Sequence, residues 1–141
     1  MNILLAVDGS TFTKKMLAYL TAHEELITAG RHNYTALTVQ SPLPARARAA
    51  LSKDMVNEYY AEEAEKVLSP VSKFMGQHGI TLQTRAEIGA AGETIAKVAE
   101  EEKFDLIIMG THGHGSLGKL VMGSVSTQVL AHCDVPVMLI R

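Results

Sequence analysis

The stretch DLIIMGTHGHGSLGKLVMGSVS runs from Asp105 to Ser126. Leu106 to Met109 are apolar without interruption and read as a buried strand. Five glycines follow within fourteen residues: Gly110, Gly113, Gly115, Gly118 and Gly123. A helix can start at Gly123-Ser124. A strand, a glycine loop and a helix start in this order form an anion site. Glycines let the backbone approach phosphate oxygens and adopt positive φ, and the first N–H groups of the helix point at the ligand.

Three phosphate-binding patterns overlap in the loop. Gly113 to Gly118 spells GxGxxG. A dinucleotide fold needs a further strand ending in an acidic residue about 20 positions on. Asp134 stands near that distance but precedes the last strand instead of ending it. Gly113 to Lys119 also spells GxxxxGK, but the next residue is Leu120, so the hydroxyl that holds Mg²⁺ in a Walker loop is missing.

The third pattern is Gly110-x2-Gly113-x9-Gly123-Ser124. It resembles the nucleotide-binding signature of the universal stress protein family, in its ATP-binding branch. The opening Asn2-Ile3-Leu4-Leu5-Ala6-Val7-Asp8-Gly9-Ser10 resembles that family's first strand and its Val-Asp-Gly-Ser ending. The close, Cys133-Asp134-Val135-Pro136-Val137-Met138-Leu139-Ile140-Arg141, resembles its final Pro-Val strand.

Elsewhere the same alternation of strands and helices continues. Ile3 to Val7 and Tyr34 to Val39 are further strand runs. Met16, Leu17, Leu20, Leu26 and Ile27 form a helical stripe, with Gly30 as its stop. Pro42 and Pro44 end the second strand, and an Ala/Arg-rich loop leads to a long helix over Tyr60 to Met75, with a kink or break expected near Ser69 because of Pro70. Gly79 ends that helix, and Ile80 to Ala86 alternates as an edge or half-polar strand. A helix carrying Ile95, Val98 and Ala99 follows, with Glu100 to Glu102 as its solvated face, then the strand ending at Met109. Ser124 to His132 is the last helix and Pro136 to Ile140 the last strand.

The expectation is one α/β domain over residues 1–141, a doubly wound, five-stranded parallel sheet with helices on both faces. The resemblance implies strand order 3-2-1-4-5. Asp8 and Gly110 then end neighbouring strands at the point where the order reverses, which is where such sheets bind ligands.

Composition narrows the function. At 141 residues and 47% hydrophobic, the chain can bury a core. A net charge of −2 gives nucleic-acid binding little support. Apolar runs of about six residues exclude a membrane span, which needs ~20. No signal peptide is visible, so a cytoplasmic location is expected. The lone cysteine, Cys133, is expected to pack as a small hydrophobe.

The site expected from these readings contains Gly110, Gly113 and Gly123 around the phosphates, and Ser124 capping the helix and offering its hydroxyl and N–H. Val125 and Ser126 add N–H groups. Asp8 accepts a ribose hydroxyl or helps hold Mg²⁺ indirectly; its structural alternative is an Asx-turn at the strand end. The resemblance puts Val39 in the adenine pocket. His112 or His114, partly protonated, can approach a phosphate; three or four metal ligands are not evident around this H-x-H pair. Lys119 is a further cation for the phosphate tail. No nucleophile–base pair is visible, so slow hydrolysis is the most that is expected. The ligand is ATP, or ADP or AMP. The fold can alternatively carry a slow ATPase or phosphotransferase, or an interaction module without nucleotide. Similar proteins pair the last strand across a two-fold axis, so a homodimer through residues 136–140 is expected.

Overall fold

The computed structural model describes residues 1–23, 25, 32–114 and 122–141. Leu26, Ile27 and Gly30, together with Gly115, Ser116, Gly118, Lys119 and Leu120, lie outside the described residues.

Five strands, β1 (Asn2–Ala6), β2 (Asn33–Gln40), β3 (Leu82–Ile88), β4 (Leu106–Gly110) and β5 (Val137–Ile140), form one sheet in the order β3-β2-β1-β4-β5. All four pairings are parallel. Helices α1 (Thr11–Ala22), α2 (Ala45–Ala50), α3 (Lys53–Gln77), α4 (Ala91–Glu101) and α5 (Ser124–His132) lie between them in sequence.

The unbroken apolar run of β1 is explained by its central place. Successive side chains on a strand face opposite ways. Ile3, Leu5 and Val7 pack with Met16 and Leu20 of α1 and Leu68, Val71 and Met75 of α3. Leu4 and Ala6 pack on the other face with Ile95 and Val98 of α4 and Val129 of α5. Leu4 and Leu5 are both 0% exposed. Each such burial contributes about 2 kcal/mol, so neither face tolerates a polar residue here.

Three expectations are corrected. Of the kink or break expected near Ser69, the break is absent, and helix α3 runs on through Pro70. Ser69 and Pro70 are on its exposed face, where water can satisfy the Lys66 carbonyl that loses its partner, while Ala64, Leu68, Val71 and Met75 hold both halves on the sheet. The third strand begins at Leu82, not Ile80. Gly79, at φ +74°, donates to the Gly76 carbonyl, and the Ile80 N–H donates to the Met75 carbonyl. This is the left-handed helix ending that glycine favours, and it takes Ile80 into the cap. The Ala/Arg loop contains the short helix α2, built of strong helix formers directly after Pro44. The loop before it is held by Tyr60: Leu43 N–H donates to the Tyr60 hydroxyl at 2.8 Å, and Gln40 Nε2 donates to the Tyr60 carbonyl at 2.8 Å.

Candidate functional site

The register Ala6↔Met109 sets the C-terminal ends of β1 and β4 side by side. Here the chain leaves one strand toward α1 and the other toward α5, opening a cavity of about 290 Å³. Asp8, Val39, Gly110, His112, Gly113, Gly123, Ser124, Val125 and Ser126 all line it. Residues from four separate stretches of sequence therefore meet in one place. Thr13, Leu37, Ala91, Ile95 and Met109 line it too; no phosphate pattern pointed to them, and only the fold brings them there.

The Asp8 side chain is fixed from its own side of the cavity. Its Oδ1 accepts the Ser10 N–H at 2.9 Å, the Asx-turn, and the Thr13 hydroxyl at 2.9 Å. The same Thr13 Oγ1 accepts the Asp8 N–H at 3.1 Å. Gly9 makes the turn possible with φ +77°. Burial pushes the carboxyl pKa up. The N–H and nearby hydroxyl of Ser10, the Thr13 hydroxyl and the charge of His114 outweigh it, leaving the pKa below its ordinary 3.8. The Ser10 hydroxyl is close enough to act electrostatically, but its oxygen completes no hydrogen bond.

A depressed carboxyl pKa ties stability to pH in one direction. The ionised form is favoured in the folded state, so its contribution is complete above the unfolded pKa near 4. It is lost as pH falls through the lower folded value. The stability difference between wild type and Asp8→Asn is therefore expected to shrink as denaturant titrations move from pH 5 toward pH 2. A difference constant across that window would contradict the ionised, hydrogen-bonded Asp8.

The glycines act through space and not through φ. Gly110, Gly113 and Gly123 are absent from the positive-φ residues, which are Gly9, Gly79, Gly89 and Lys103 among those described. A Cβ on Gly113 would lie 2.5 Å from Asp8 Oδ2. One on Gly110 would lie 2.7 Å from Phe12 Cβ, and one on Gly123 3.2 Å from both the His112 Cα and the Thr111 carbonyl oxygen. At Gly110 and Gly113 the backbone stands so close to Phe12 and Asp8 that a Cβ would force a shift, and at Gly123 it would be crowded by the Thr111–His112 backbone.

The helix start also differs from expectation. Gly123, not Ser124, is the N-cap of α5. Its N–H donates to the Thr111 carbonyl at 2.7 Å, which anchors it in extended conformation at the end of β4. Ser124 thereby becomes the first helical residue, with an exposed side chain. No side chain of the N-cap residue turns back on the first turn. The N–H groups of Ser124, Val125 and Ser126 have no carbonyl partner within the helix and carry the positive end of its dipole. The Ser126 side chain is turned inward, donating to the carbonyls of Gly110 and Thr111.

The two histidines are held differently. His114 Nε2 donates to the Asp8 carbonyl at 2.8 Å, tying the loop to the end of β1. His112 Nδ1 lies 2.8 Å from Thr111 Oγ1, and its ring packs on Phe12 with centroids 4.9 Å apart. No group of three His, Cys, Asp or Glu residues gathers around a common point among the described residues. Cys133 is half-buried in the core under α4 and α5, and burial pushes its thiol pKa up. Among the described residues no helix is long and apolar enough to cross a membrane.

The chain is similar to known proteins along its whole length. It is 34% identical to a universal stress protein of Thermus aquaticus, covering 99% of this chain and 98% of that one. It spans about half the length of two further relatives: universal stress protein Slr1230 of Synechocystis, 33% identical over 99% of this chain and 42% of that one, and MJ0531 of Methanocaldococcus jannaschii, 31% identical over 64% of this chain and 53% of that one. Among solved structures, MJ0577 of Methanocaldococcus jannaschii superposes with a TM-score of 0.78 at 27% identity, covering 99% of this chain and 94% of that one. A universal stress protein family member from Arabidopsis thaliana, solved with AMP bound, shares the fold with a TM-score of 0.69 at 16% identity, covering 99% and 90%. The family model for universal stress proteins matches residues 1–141, from the Asp8 turn through the glycine loop to the last strand. By that match and the Thermus relative, the chain belongs to the universal stress protein family.

Proposed function

We propose that this protein binds an adenine nucleotide, ATP or its relatives ADP and AMP, where β1 and β4 end, and acts as a nucleotide-dependent regulator in the cytoplasmic stress response. The observation that carries the reading is the close packing at Gly110 and Gly113, where a Cβ would force a shift, and the tight approach at Gly123, beside a helix start with no N-cap side chain on it. This arrangement suits a phosphate chain: backbone approaches closely, and the N–H groups of Ser124, Val125 and Ser126 supply donors. The lining also includes apolar Leu37, Val39, Ile95 and Met109, which suit a base. The AMP-bound Arabidopsis relative supports the choice of an adenine nucleotide.

Asp8 is the carboxylate of the site and takes a ribose hydroxyl or the water shell of Mg²⁺. Mg²⁺ would arrive with the triphosphate, held chiefly by phosphate oxygens and water, and would neutralise part of their charge. Catalysis has little to work with among the described residues. Asp8 has a depressed pKa and an Oδ1 already bonded twice, which makes it a poor base. His114 Nε2 is engaged with a carbonyl. Turnover is accordingly slow, and the nucleotide acts as a bound signal.

The test is the nucleotide content of protein purified without added ligand, read by denaturing it and analysing the released small molecules, followed by calorimetric titration of stripped protein. Near-stoichiometric ATP supports a regulator with slow turnover, whereas ADP or AMP calls for a turnover assay. No release and no heat with millimolar ATP, ADP or AMP would leave an interaction module without nucleotide.

The two sheet edges support a homodimer. Edge strand β3 carries Arg85 and Glu87, charges that discourage pairing with another chain. Edge strand β5, Val137-Met138-Leu139-Ile140, has none, and three of its four residues are half-buried in the single chain. Pairing of residues 136–140 across a two-fold axis covers this edge. Light scattering at micromolar concentration is expected to give the mass of two chains, and the mass of one would contradict the pairing.

A further inference from the structure

Ser126 is 1% exposed, the most deeply buried polar side chain of those described. An unbonded hydroxyl is costly at such depth, and alanine is both the better helix former and the easier residue to bury. Its presence therefore calls for a bonding role. The Ser126 hydroxyl points at the Thr111 carbonyl at 2.9 Å and the Gly110 carbonyl at 3.2 Å. The same Thr111 carbonyl accepts the Gly123 N–H at 2.7 Å. The N-cap and the third residue of α5 thus rest on the carbonyls of Gly110, the last residue of β4, and of Thr111 directly after it, at sequence separations of twelve to sixteen residues. The glycine loop leaves and returns between these fixed points. Sliding α5 along its axis by one residue would break both attachments.

We infer that Ser126 is a positioning residue whose hydroxyl holds the amide-lined end of α5 at the distance from β4 that accommodates a phosphate chain, so that it governs affinity for the phosphates and not for the nucleoside. The inference rests on the nucleotide reading above. The N–H groups of Ser124, Val125 and Ser126 are useful to an anion only where their helix end stands. The apolar wall at Val39 and Leu37 belongs to β2, whereas the hydrogen bonds of the Ser126 hydroxyl go to the carbonyls of Gly110 and Thr111.

The experiment is calorimetric titration of the full chain with ATP and with adenosine, for wild type, Ser126→Ala, Ser126→Cys and Ser126→Thr. Ser126→Ala is expected to weaken ATP about tenfold, the scale of one lost hydrogen bond, and to leave adenosine within about twofold. Ser126→Cys, nearly isosteric but a weak donor, is expected to follow it and decides the matter if Ser126→Ala does not fold. Ser126→Thr keeps the hydroxyl and is expected to restore ATP binding to within about threefold of wild type. Parallel weakening of ATP and adenosine would make Ser126 a merely structural residue and overturn the inference, as would unchanged ATP affinity in both donor-poor variants. A wild type that binds neither ligand removes the nucleotide reading and this inference together. A wild type that binds both, with variants indifferent to the phosphates, removes only the inference.

Discussion

The Gly113→Val variant is expected to lose adenine nucleotide affinity by about 100-fold while remaining folded. The reason is a collision with one particular group. A Cβ at this position would lie 2.5 Å from Asp8 Oδ2, closer than any ordinary contact. A flexible side chain would swing aside, but Asp8 is pinned at Oδ1 by the Ser10 N–H and the Thr13 hydroxyl. Either those bonds break or the loop withdraws from β1. Relief of this kind typically costs 1–3 kcal/mol, on the order of 10- to 100-fold in affinity if the bound state needs the unrelieved geometry. Valine adds two methyl groups to a residue that lines the cavity, which places the expected effect at the upper end.

Gly76→Ala is the matching control. No heavy atom lies within 4 Å of a Cβ there, and the position is exposed on α3. It is expected to raise stability by about 0.5–1 kcal/mol by restricting the unfolded chain, and to leave nucleotide affinity unchanged. Titration of both variants checks the pair. Equal affinities for Gly113→Val and wild type would mean that the loop has no close approach to make, and would remove the steric account of the site.

The legible part of this molecule was the part written in contiguous sequence. The run Ile3 to Val7 announces a strand buried on both faces, and β1 is the central strand with a core on each side. The loop of glycines after Met109 announces a site, and Gly110, Gly113 and Gly123 line the cavity. What escaped depends on residues far apart in the chain. Positive φ was a reasonable use for loop glycines, yet the described ones are needed for their lack of a Cβ beside Asp8, Phe12 and His112, contacts that exist only after folding. Ser124 has the residue type of an N-cap, but the bond from Gly123 N–H to Thr111 moves the cap back by one. Thr13 follows Asp8 by five residues, across a turn and a helix start, and no local pattern marks it as the partner of that carboxylate. Propensity was overridden at Pro70, because four buried residues on one face outweigh one missing hydrogen bond on the other.

Gly92 was equally silent in the sequence, and Gly92→Ala is expected to lower the melting temperature by about 3–8 °C. Gly92 stands in the first turn of α4, where a Cβ would lie 2.3 Å from Gln128 Cβ and 3.2 Å from the Val125 carbonyl oxygen. Helices α4 and α5 touch here with no room between them. In a helix alanine is favoured over glycine by up to about 1 kcal/mol, so propensity alone predicts stabilisation. Overpacking by a methyl costs about 1–3 kcal/mol and decides the sign, because the atoms it meets are a Cβ and a backbone carbonyl that cannot rotate away. The strain falls on the first turn of α5, whose Val125 lines the cavity beside Ala91 and Ile95 of α4. ATP affinity is therefore expected to fall with stability. Gln128→Gly removes the nearer colliding atom and by itself costs about 1 kcal/mol as a helix glycine. In that background Gly92→Ala is expected to cost markedly less than it does alone, a coupling that a double-mutant cycle of thermal denaturation reads directly. Additive effects would mean that α4 and α5 yield independently, and that the spacing of the two helices at the cavity is not set at this contact.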